Sequence, residues 1–414
     1  MAKASPSLSG QSLPRRAVVL GLLIAVGAFA IDMYIPGFAA IAHDLHATPG
    51  VVQLSMTSYF AALAIGQVFY GPMSDAFGRK PPIFVGLALF ALASAAAAFA
   101  PSIHTLIAAR FVQGLGAAAT AVIPMAVIRD QHTGPDAARL LSLAMLSLSV
   151  SPILAPAFGG VLVQFVSWRL IFGVLIVISG LAAIMTARML PETLPRSRRI
   201  GTGPVRILVT YAGLIGNRYF IVPILIAGCA QSVLFTFISG SPFVFVTLHQ
   251  LSPILYGTLF ALHAAVLIGI SQFNAPMMRR FGVSRLIGGA SLGLAAASVT
   301  LALLVLAGMT ALWPFVLLTL GMFACLGLIM APAFLTAMEP FGANAGAAAA
   351  IGVALELSLS SSMTFLLGLT TDGTARPMTI LLALASCATL AGWAVFIRTP
   401  PRTSPADAGS HAGS

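Results

Sequence analysis

Apolar runs of about 20 residues recur twelve times along this chain, each closed by a short polar or turn-forming stretch. They lie near 17–38, 50–71, 82–100, 104–128, 139–163, 168–190, 219–241, 254–275, 284–307, 311–336, 344–369 and 378–397. Such a length of helix crosses the hydrocarbon of a bilayer, where each backbone group must be satisfied within its own segment. The pattern predicts an all-α membrane protein of twelve transmembrane helices. Between the second and third runs lies Gly71-Pro72-Met73-Ser74-Asp75-Ala76-Phe77-Gly78-Arg79-Lys80-Pro81. It reads as a tight charged turn at the membrane surface, with Gly71 and Gly78 supplying the conformational freedom.

Polar residues interrupt the runs unevenly. Asp32 falls in the first, Tyr59 and Gln67 in the second, Arg110 and Gln113 in the fourth, Gln231 in the seventh, His263 in the eighth and Glu356 in the eleventh. The third, sixth, ninth and twelfth runs are almost wholly apolar at their centres. A charge in hydrocarbon costs several kcal/mol unless it meets a partner or water, so the polar helices are expected around a central cavity and every third helix against lipid. Asp32 and Arg110 each lie about six residues, or about 9 Å, from the same membrane surface, so they can pair. A movement that changes their separation would change the proton affinity of the carboxylate; a static ion pair is the alternative. Glu356, near the midplane, could recognise a cation, serve as a second proton site, or rest in a structural pairing such as one with His263. His263 alone reads more simply as a hydrogen-bonded interior histidine, and the Ala/Gly-rich stretch 343–352 as tight helix packing.

The chain also repeats itself. Pro72-Met73-Ser74-Asp75-Ala76-Phe77-Gly78 returns, eroded, as Pro276-Met277-Met278-Arg279-Arg280-Phe281-Gly282, at an offset of 204 residues and after the eighth run as the first copy follows the second. This placement predicts two parallel six-helix repeats. The resulting division is an N-terminal bundle over 1–190, a linker over 191–218, a C-terminal bundle over 219–397 and a tail over 398–414. Within the linker, Arg196-Ser197-Arg198-Arg199 followed by 205–214 reads as a basic, partly amphipathic segment on the membrane surface.

Composition agrees: 59% hydrophobic and 7% charged residues, with mean hydropathy +1.01, exclude a soluble domain of 414 residues. The net charge of +11 would suit nucleic-acid binding were the basic residues clustered. Instead 18 of the 21 fall on one side if both termini are cytoplasmic, which is the positive-inside bias of a membrane protein. Arg15-Arg16 and the following apolar stretch resemble a signal peptide, but the run continues past Ala30 and is expected to remain as the first helix. Cys229, Cys325 and Cys387 lie in separate runs without metal-ligand spacing, so neither a disulfide nor a metal site is expected.

Taken together, these motifs resemble the major facilitator superfamily, and within it the drug:proton antiporters of the bicyclomycin-resistance and chloramphenicol-efflux branch. The 71–81 cluster is similar to the superfamily's signature loop. Arg110-Phe111-Val112-Gln113-Gly114-Leu115-Gly116 resembles the fourth-span motif of proton-coupled members, and Ser151-Pro152 through Pro156 to Gly159-Gly160 the fifth-span motif of antiporters, with Ala155 where Gly is usual. Asp32-Met33-Tyr34-Ile35-Pro36 resembles the first-span signature of the branch. The resemblance implies proton coupling through Asp32 and Arg110, and a conformational latch of Gly71, Asp75, Gly78, Arg79 and Lys80, with Asp75 against the N-terminus of the eleventh span. It also implies a rocking helix marked by Pro152, Pro156, Gly159 and Gly160, and a cavity bordered by Tyr34, Tyr59, Gln113, Gln231, His263 and Glu356.

The expected function is proton-driven export of small hydrophobic or cationic drugs or metabolites across a bacterial inner membrane, without a cofactor, by a monomer. A symporter or metabolite exporter of the same fold is the alternative. A membrane-embedded enzyme is the remaining alternative, and it would need converging metal ligands or a nucleophile with its base.

Overall fold

The computed structural model describes residues 13–131, 134–199 and 204–398, and these are almost entirely helical. The helices are α1 (Leu13–Asp32), α2 (Phe38–Asp44), α3 (Pro49–Phe77), α4 (Lys80–Ala98), α5 (Ile103–Gln131), α6 (Gly134–Phe165) and α7 (Arg169–Met189). After the linker helix α8 (Pro204–Ile215) come α9 (Arg218–Pro242), α10 (Pro253–Ser271), α11 (Asn274–Phe281), α12 (Val283–Leu306), α13 (Leu312–Met338), α14 (Ala345–Thr370) and α15 (Arg376–Phe396). Eleven stretches among the described residues are long and apolar enough to cross a membrane. The fifth place belongs to α6, whose Val150–Phe165 portion is apolar. The twelve predicted spans are therefore α1, α3, α4, α5, α6 and α7, then α9, α10, α12, α13, α14 and α15. The proposed tail beyond Arg398, and residues 200–203 of the proposed linker, lie outside the described residues.

Small residues let these helices approach closely where hydrophobicity alone gives no drive for association. A Cβ on Gly114 would overlap the Tyr59 carbonyl and one on Gly66 the Ala118 side chain, which locks α3 to α5. Gly86 and Gly116 bring α4 against α5 in the same way.

The turn after the second span is tighter than the sequence suggests. Rather than belonging to a loop, Gly71 and Pro72 lie inside α3, which runs on to Phe77, and only Gly78 turns the chain, at φ +94°. Proline removes a helical hydrogen bond to the carbonyl four residues earlier. Here that carbonyl is Val68, and the Tyr211 hydroxyl of α8 donates to it at 3.4 Å, so the helix persists. The repeat is visible in the backbone: Gly282, 204 residues after Gly78, adopts φ +79° and ψ 152° where Gly78 has φ +94° and ψ 167°.

The linker helix lies between the two halves. Tyr211 and Leu214 are buried with Phe220, Ile224, Ala337, Ala348 and Ile351, while Leu208 and Val209 on its other side are about two-thirds exposed. That division is the amphipathic one expected of a helix held at a membrane surface. The face carrying α8 and the α3–α4 turn is called the basic face below, and the opposite one the far face.

Lipid-facing positions follow the predicted rule in the first half, where α4 and α7 are less buried than α1, α3 and α5. In the second half α10 is more open than α12 and α15. Its buried residues, Tyr256, Gly257, Phe260, His263 and Ala264, all lie toward the far face, where the halves meet.

Candidate functional site

At the basic face, Arg79 gathers acids from three parts of the chain. Its Nη1 bonds Asp75 Oδ1 at 2.5 Å and Ser74 Oγ at 2.8 Å, and Nε and Nη2 reach the two Asp130 oxygens at 2.8 and 3.2 Å. Thr193 Oγ1 donates to Asp130 at 3.0 Å. Glu192 accepts from the backbone N–H groups of Arg79, Lys80 and Leu194 at 2.9, 3.1 and 3.0 Å, and so caps the start of α4, where a helix favours an anion. Burial works to raise the Glu192 carboxyl, but these donors and the nearby Arg199 charge outweigh it and hold the group below its ordinary range. Lys80 Nζ reaches the Ala187 carbonyl at 3.4 Å.

The anion expected to cap the eleventh span is thus engaged elsewhere. Among the described residues no hydrogen bond joins Asp75 to α14. Asp75 instead borders a cavity of about 350 Å³ with Arg79, Arg129, Tyr211 and, at the start of α14, Gly346 and Ala347. A salt-bridging arginine four residues along the chain is the nearer partner.

Deeper in the first half, Asp32 and Arg110 are both buried but do not form the expected ion pair. Ser151 Oγ of α6 donates to Asp32 Oδ2 at 3.0 Å, and no ion pair to Asp32 occurs among the described residues. Arg110 lies with its Cζ 4.5 Å from the Tyr34 ring centre and 4.2 Å from that of Tyr59, donating also to Gln113 Oε1 and to Met56 Sδ. Aromatic faces hold a desolvated guanidinium by their quadrupoles. Gln113 passes the chain on to Ser94 Oγ at 2.7 Å. Tyr59 donates to the Gly27 carbonyl at 3.0 Å, and Tyr34 bonds Ser55 at 2.7 Å, so both rings are fixed.

In the second half Glu356 is buried on α14, and its Oε1 has no hydrogen-bond partner among the described residues. It does not meet His263, whose Nδ1 lies 2.7 Å from the Leu259 carbonyl and whose Nε2 lies 2.9 Å from Thr319 Oγ1. The imidazole packs among Phe237 and Phe323, within the second bundle itself. Glu356 faces α9, where a Cβ on Gly228 would stand 3.3 Å from its Cα. Gln231, also on α9, is half-buried.

Helix α6 joins the halves. Gly159 lies so close to the Met33 carbonyl that a Cβ would overlap it, and one on Gly160 would come within 2.8 Å of the Pro253 carbonyl of the other half. A Cβ on Gly257 of α10 would likewise come within 2.9 Å of the Pro156 carbonyl, beside which Pro152 sits one turn earlier in α6. At the same face, α3 meets α14: Thr57 donates to Thr364 at 3.0 Å, Ser361 to the Thr57 carbonyl at 3.2 Å and Thr371 to Gln53 Oε1 at 3.1 Å. Gly50 and the Gly368 carbonyl are in direct backbone contact. The far ends of the halves are therefore clamped together, and Tyr34, Tyr59, Gln113, Gln231, His263 and Glu356 are not among the residues that line the 350 Å³ cavity at the basic face.

Sequence reasoning passed over Asp130, Glu192 and Thr193, and at the far face Asp44, whose carboxylate accepts from Arg169 and from Trp168 Nε1. With only ten acids in the chain, a Glu within an otherwise basic linker and an Asp beside Arg129 were the available signals.

Comparison with known proteins agrees with this architecture. The sequence profile of the Major Facilitator Superfamily matches residues 20–363. An uncharacterised MFS-type transporter of Bacillus subtilis, YdgK, is 36% identical over 87% of this chain and 90% of its own. A bicyclomycin resistance protein homolog of Haemophilus influenzae is 28% identical over 92% of this chain and 95% of its own, and multidrug resistance protein D of Escherichia coli is 36% identical over 54% and 56%. The solved structure of the xylose transporter XylE from E. coli, partially occluded and inward open, superposes with a TM-score of 0.74 at 12% identity, covering 95% of this chain and all of that one. A D-xylose-proton symporter follows at 0.71 and 15% identity, covering 94% and 98%. From the profile and the aligned relatives together, the chain belongs to the Major Facilitator Superfamily of membrane transporters, on the branch of the bicyclomycin- and multidrug-resistance proteins.

Proposed function

We propose that this transporter exports small hydrophobic or cationic compounds in exchange for protons, its two bundles rocking about the buried centre. The observation that carries the reading is Asp32: a buried carboxylate at the seam between α1 and α6, held by a Ser151 hydroxyl rather than a cation. Such a group is costly to keep charged in a closed state and free to ionise when its surroundings hydrate, so rocking of α6 couples its proton to the access state. Relatives named for drug resistance favour outward movement of substrate over the sugar import of the structural neighbours, whose likeness concerns the fold.

In this reading the basic face is cytoplasmic by the positive-inside rule, the described conformation is closed to the outside, and no cofactor beyond the proton gradient is involved. The network on Arg79, formed in this state, ties the α3–α4 turn to α5 and the start of the linker. A susceptibility panel in an efflux-deficient bacterium expressing this chain, with and without a protonophore, tests the assignment. Resistance abolished by the protonophore is expected. Asp32→Asn keeps size and hydrogen bonding but not titration, so at matched expression it should lose protonophore-sensitive resistance. Full resistance in that variant would overturn the coupling role.

A further inference from the structure

The second half contains a seam related to the one that holds Asp32. The first and fifth spans pack together in each half, α1 on α6 and α9 on α14. Glu356 occupies the second of these seams, on the fifth span where Asp32 is on the first. The α9–α14 register is parallel and well defined: a Cβ on Gly352 would come 3.0 Å from Ile224, one on Gly228 3.3 Å from Glu356 Cα, and one on Gly240 3.2 Å from Leu367.

Between these contacts both helices carry hydroxyl side chains at matching levels. Ser232 and Thr236 on α9 lie at the levels of Ser360 and Thr364 on α14, with Ser239 one turn further on, and all five are buried. Ser232 donates to the Gly228 carbonyl and Ser360 to that of Glu356, which leaves their oxygens able to accept, while Thr364 donates to the Ser361 carbonyl and already accepts from Thr57 of α3, with one lone pair remaining. Thr236 Oγ1 and Ser239 Oγ, like Glu356 Oε1, have no hydrogen-bond partner among the described residues. Buried polar groups are ordinarily satisfied, so three unsatisfied ones along one seam need an explanation.

We propose that this hydroxyl seam carries protons between the far face and Glu356, which makes Glu356 a second proton-binding site of the transport cycle. The inference rests on the proton-coupled export reading above. Hydroxyls one helical turn apart, about 6 Å, relay a proton when water bridges them as the helices part. The carboxylate takes one proton from the far side and yields it toward the basic face as the bundles rock; nothing is oxidised or reduced. A cation-recognition role fits the geometry less well. The close approach of Gly228 to Glu356 leaves no space between them for an organic cation, and the rings of the inter-half pair Phe60 and Phe235 are stacked on each other at 4.2 Å.

Other titratable groups on helices packed against α14 are Tyr59, Tyr70 and Asp75 of α3, Tyr211 of α8, Arg218, Tyr219 and Cys229 of α9, Cys325 of α13, and Arg376 and Cys387 of α15, with Glu339 just before α14. Among the described residues none of them bonds to Glu356. Arg218, Glu339 and Arg376 lie at helix ends.

The full-length protein in liposomes provides the test, with Glu356→Gln and with Ser232→Ala/Thr236→Val, which keeps the carboxylate. Infrared titration of the protonated-carboxyl band reports Glu356 without any transport. Ethidium and chloramphenicol serve as cationic and neutral probes, each followed by counterflow and by accumulation under an imposed pH gradient.

The expected result is a titrating carboxyl component absent from Glu356→Gln. Gradient-driven accumulation of both probes should fall in both variants to the level seen with a protonophore, while counterflow, which moves no net proton, continues. A carboxyl at Glu356 that does not titrate, or unchanged gradient-driven accumulation in Glu356→Gln, overturns the second site. Loss confined to ethidium overturns it in favour of cation recognition. Wild-type behaviour of the Ser232/Thr236 variant overturns the seam as the route. If wild type itself accumulates neither probe under the gradient, proton-coupled export fails, and the infrared component still decides whether Glu356 binds a proton.

Discussion

Glu192 shows how one side chain from outside the 71–81 cluster can hold the turn that cluster was expected to form. Its carboxylate receives three backbone N–H groups at the entry to α4, and its proton affinity is depressed by them. The stabilisation is therefore complete above the ordinary carboxyl value of 4.5 and is lost as pH falls through the lower folded value. Detergent-solubilised wild type should lose thermal stability in that acidic window. Glu192→Gln, with a weaker acceptor, should be less stable at neutral pH by about 0.5–2 kcal/mol and respond less to acid. Equal acid sensitivity of the two proteins would show that other carboxylates dominate. The Glu192 role was not legible in the sequence because it depends on residues more than 110 positions apart meeting at a helix end.

At the scale of elements, the two glycine turns form an internal control. Gly78 and Gly282 both sit at positive φ, so alanine at either costs roughly 1–2 kcal/mol of backbone strain. Only Gly78 is also crowded, since a Cβ there would stand 2.6 Å from Arg199 Nη2 and 2.8 Å from Glu192 Oε2, whereas Gly282 has nothing within 4 Å. Gly78→Ala should thus lower the melting temperature more than Gly282→Ala. The reverse order would mean that the Arg199 side chain moves away freely. The α8 helix is open to a similar test: Tyr211→Phe removes the donor to the Val68 carbonyl that Pro72 leaves open, at an expected cost of about 0.5–1.5 kcal/mol by thermal melting. An unchanged melting temperature would mean that this carbonyl finds another donor.

For the whole molecule, the far-face clamp between α3 and α14 must break if the bundles rock. Gln53 and Thr371 are in hydrogen-bond contact across it. A Gln53→Cys/Thr371→Cys pair, in a background where Cys229, Cys325 and Cys387 are replaced, should cross-link under mild oxidation and stop transport until reduced. Continued transport by the cross-linked protein would show that this face does not open.

The sequence alone determined the membrane class, the twelve spans and their two-fold repetition, because each follows from local rules: about 20 apolar residues to cross a bilayer, and a turn wherever charge and glycine interrupt them. It also marked Asp32, Arg110 and Glu356, since a charge within an apolar run is conspicuous whatever its surroundings. Tertiary structure alone decided their partners. Asp32 turned out to face Ser151 and Arg110 two tyrosine rings, while His263 closed on Thr319 rather than Glu356, because similar depth in the membrane does not fix the rotation of a helix about its axis. The state of closure was likewise beyond the sequence. It depends on how the two halves meet, through contacts such as Gly50 with Gly368 that join residues more than 300 positions apart, and no local pattern encodes that approach.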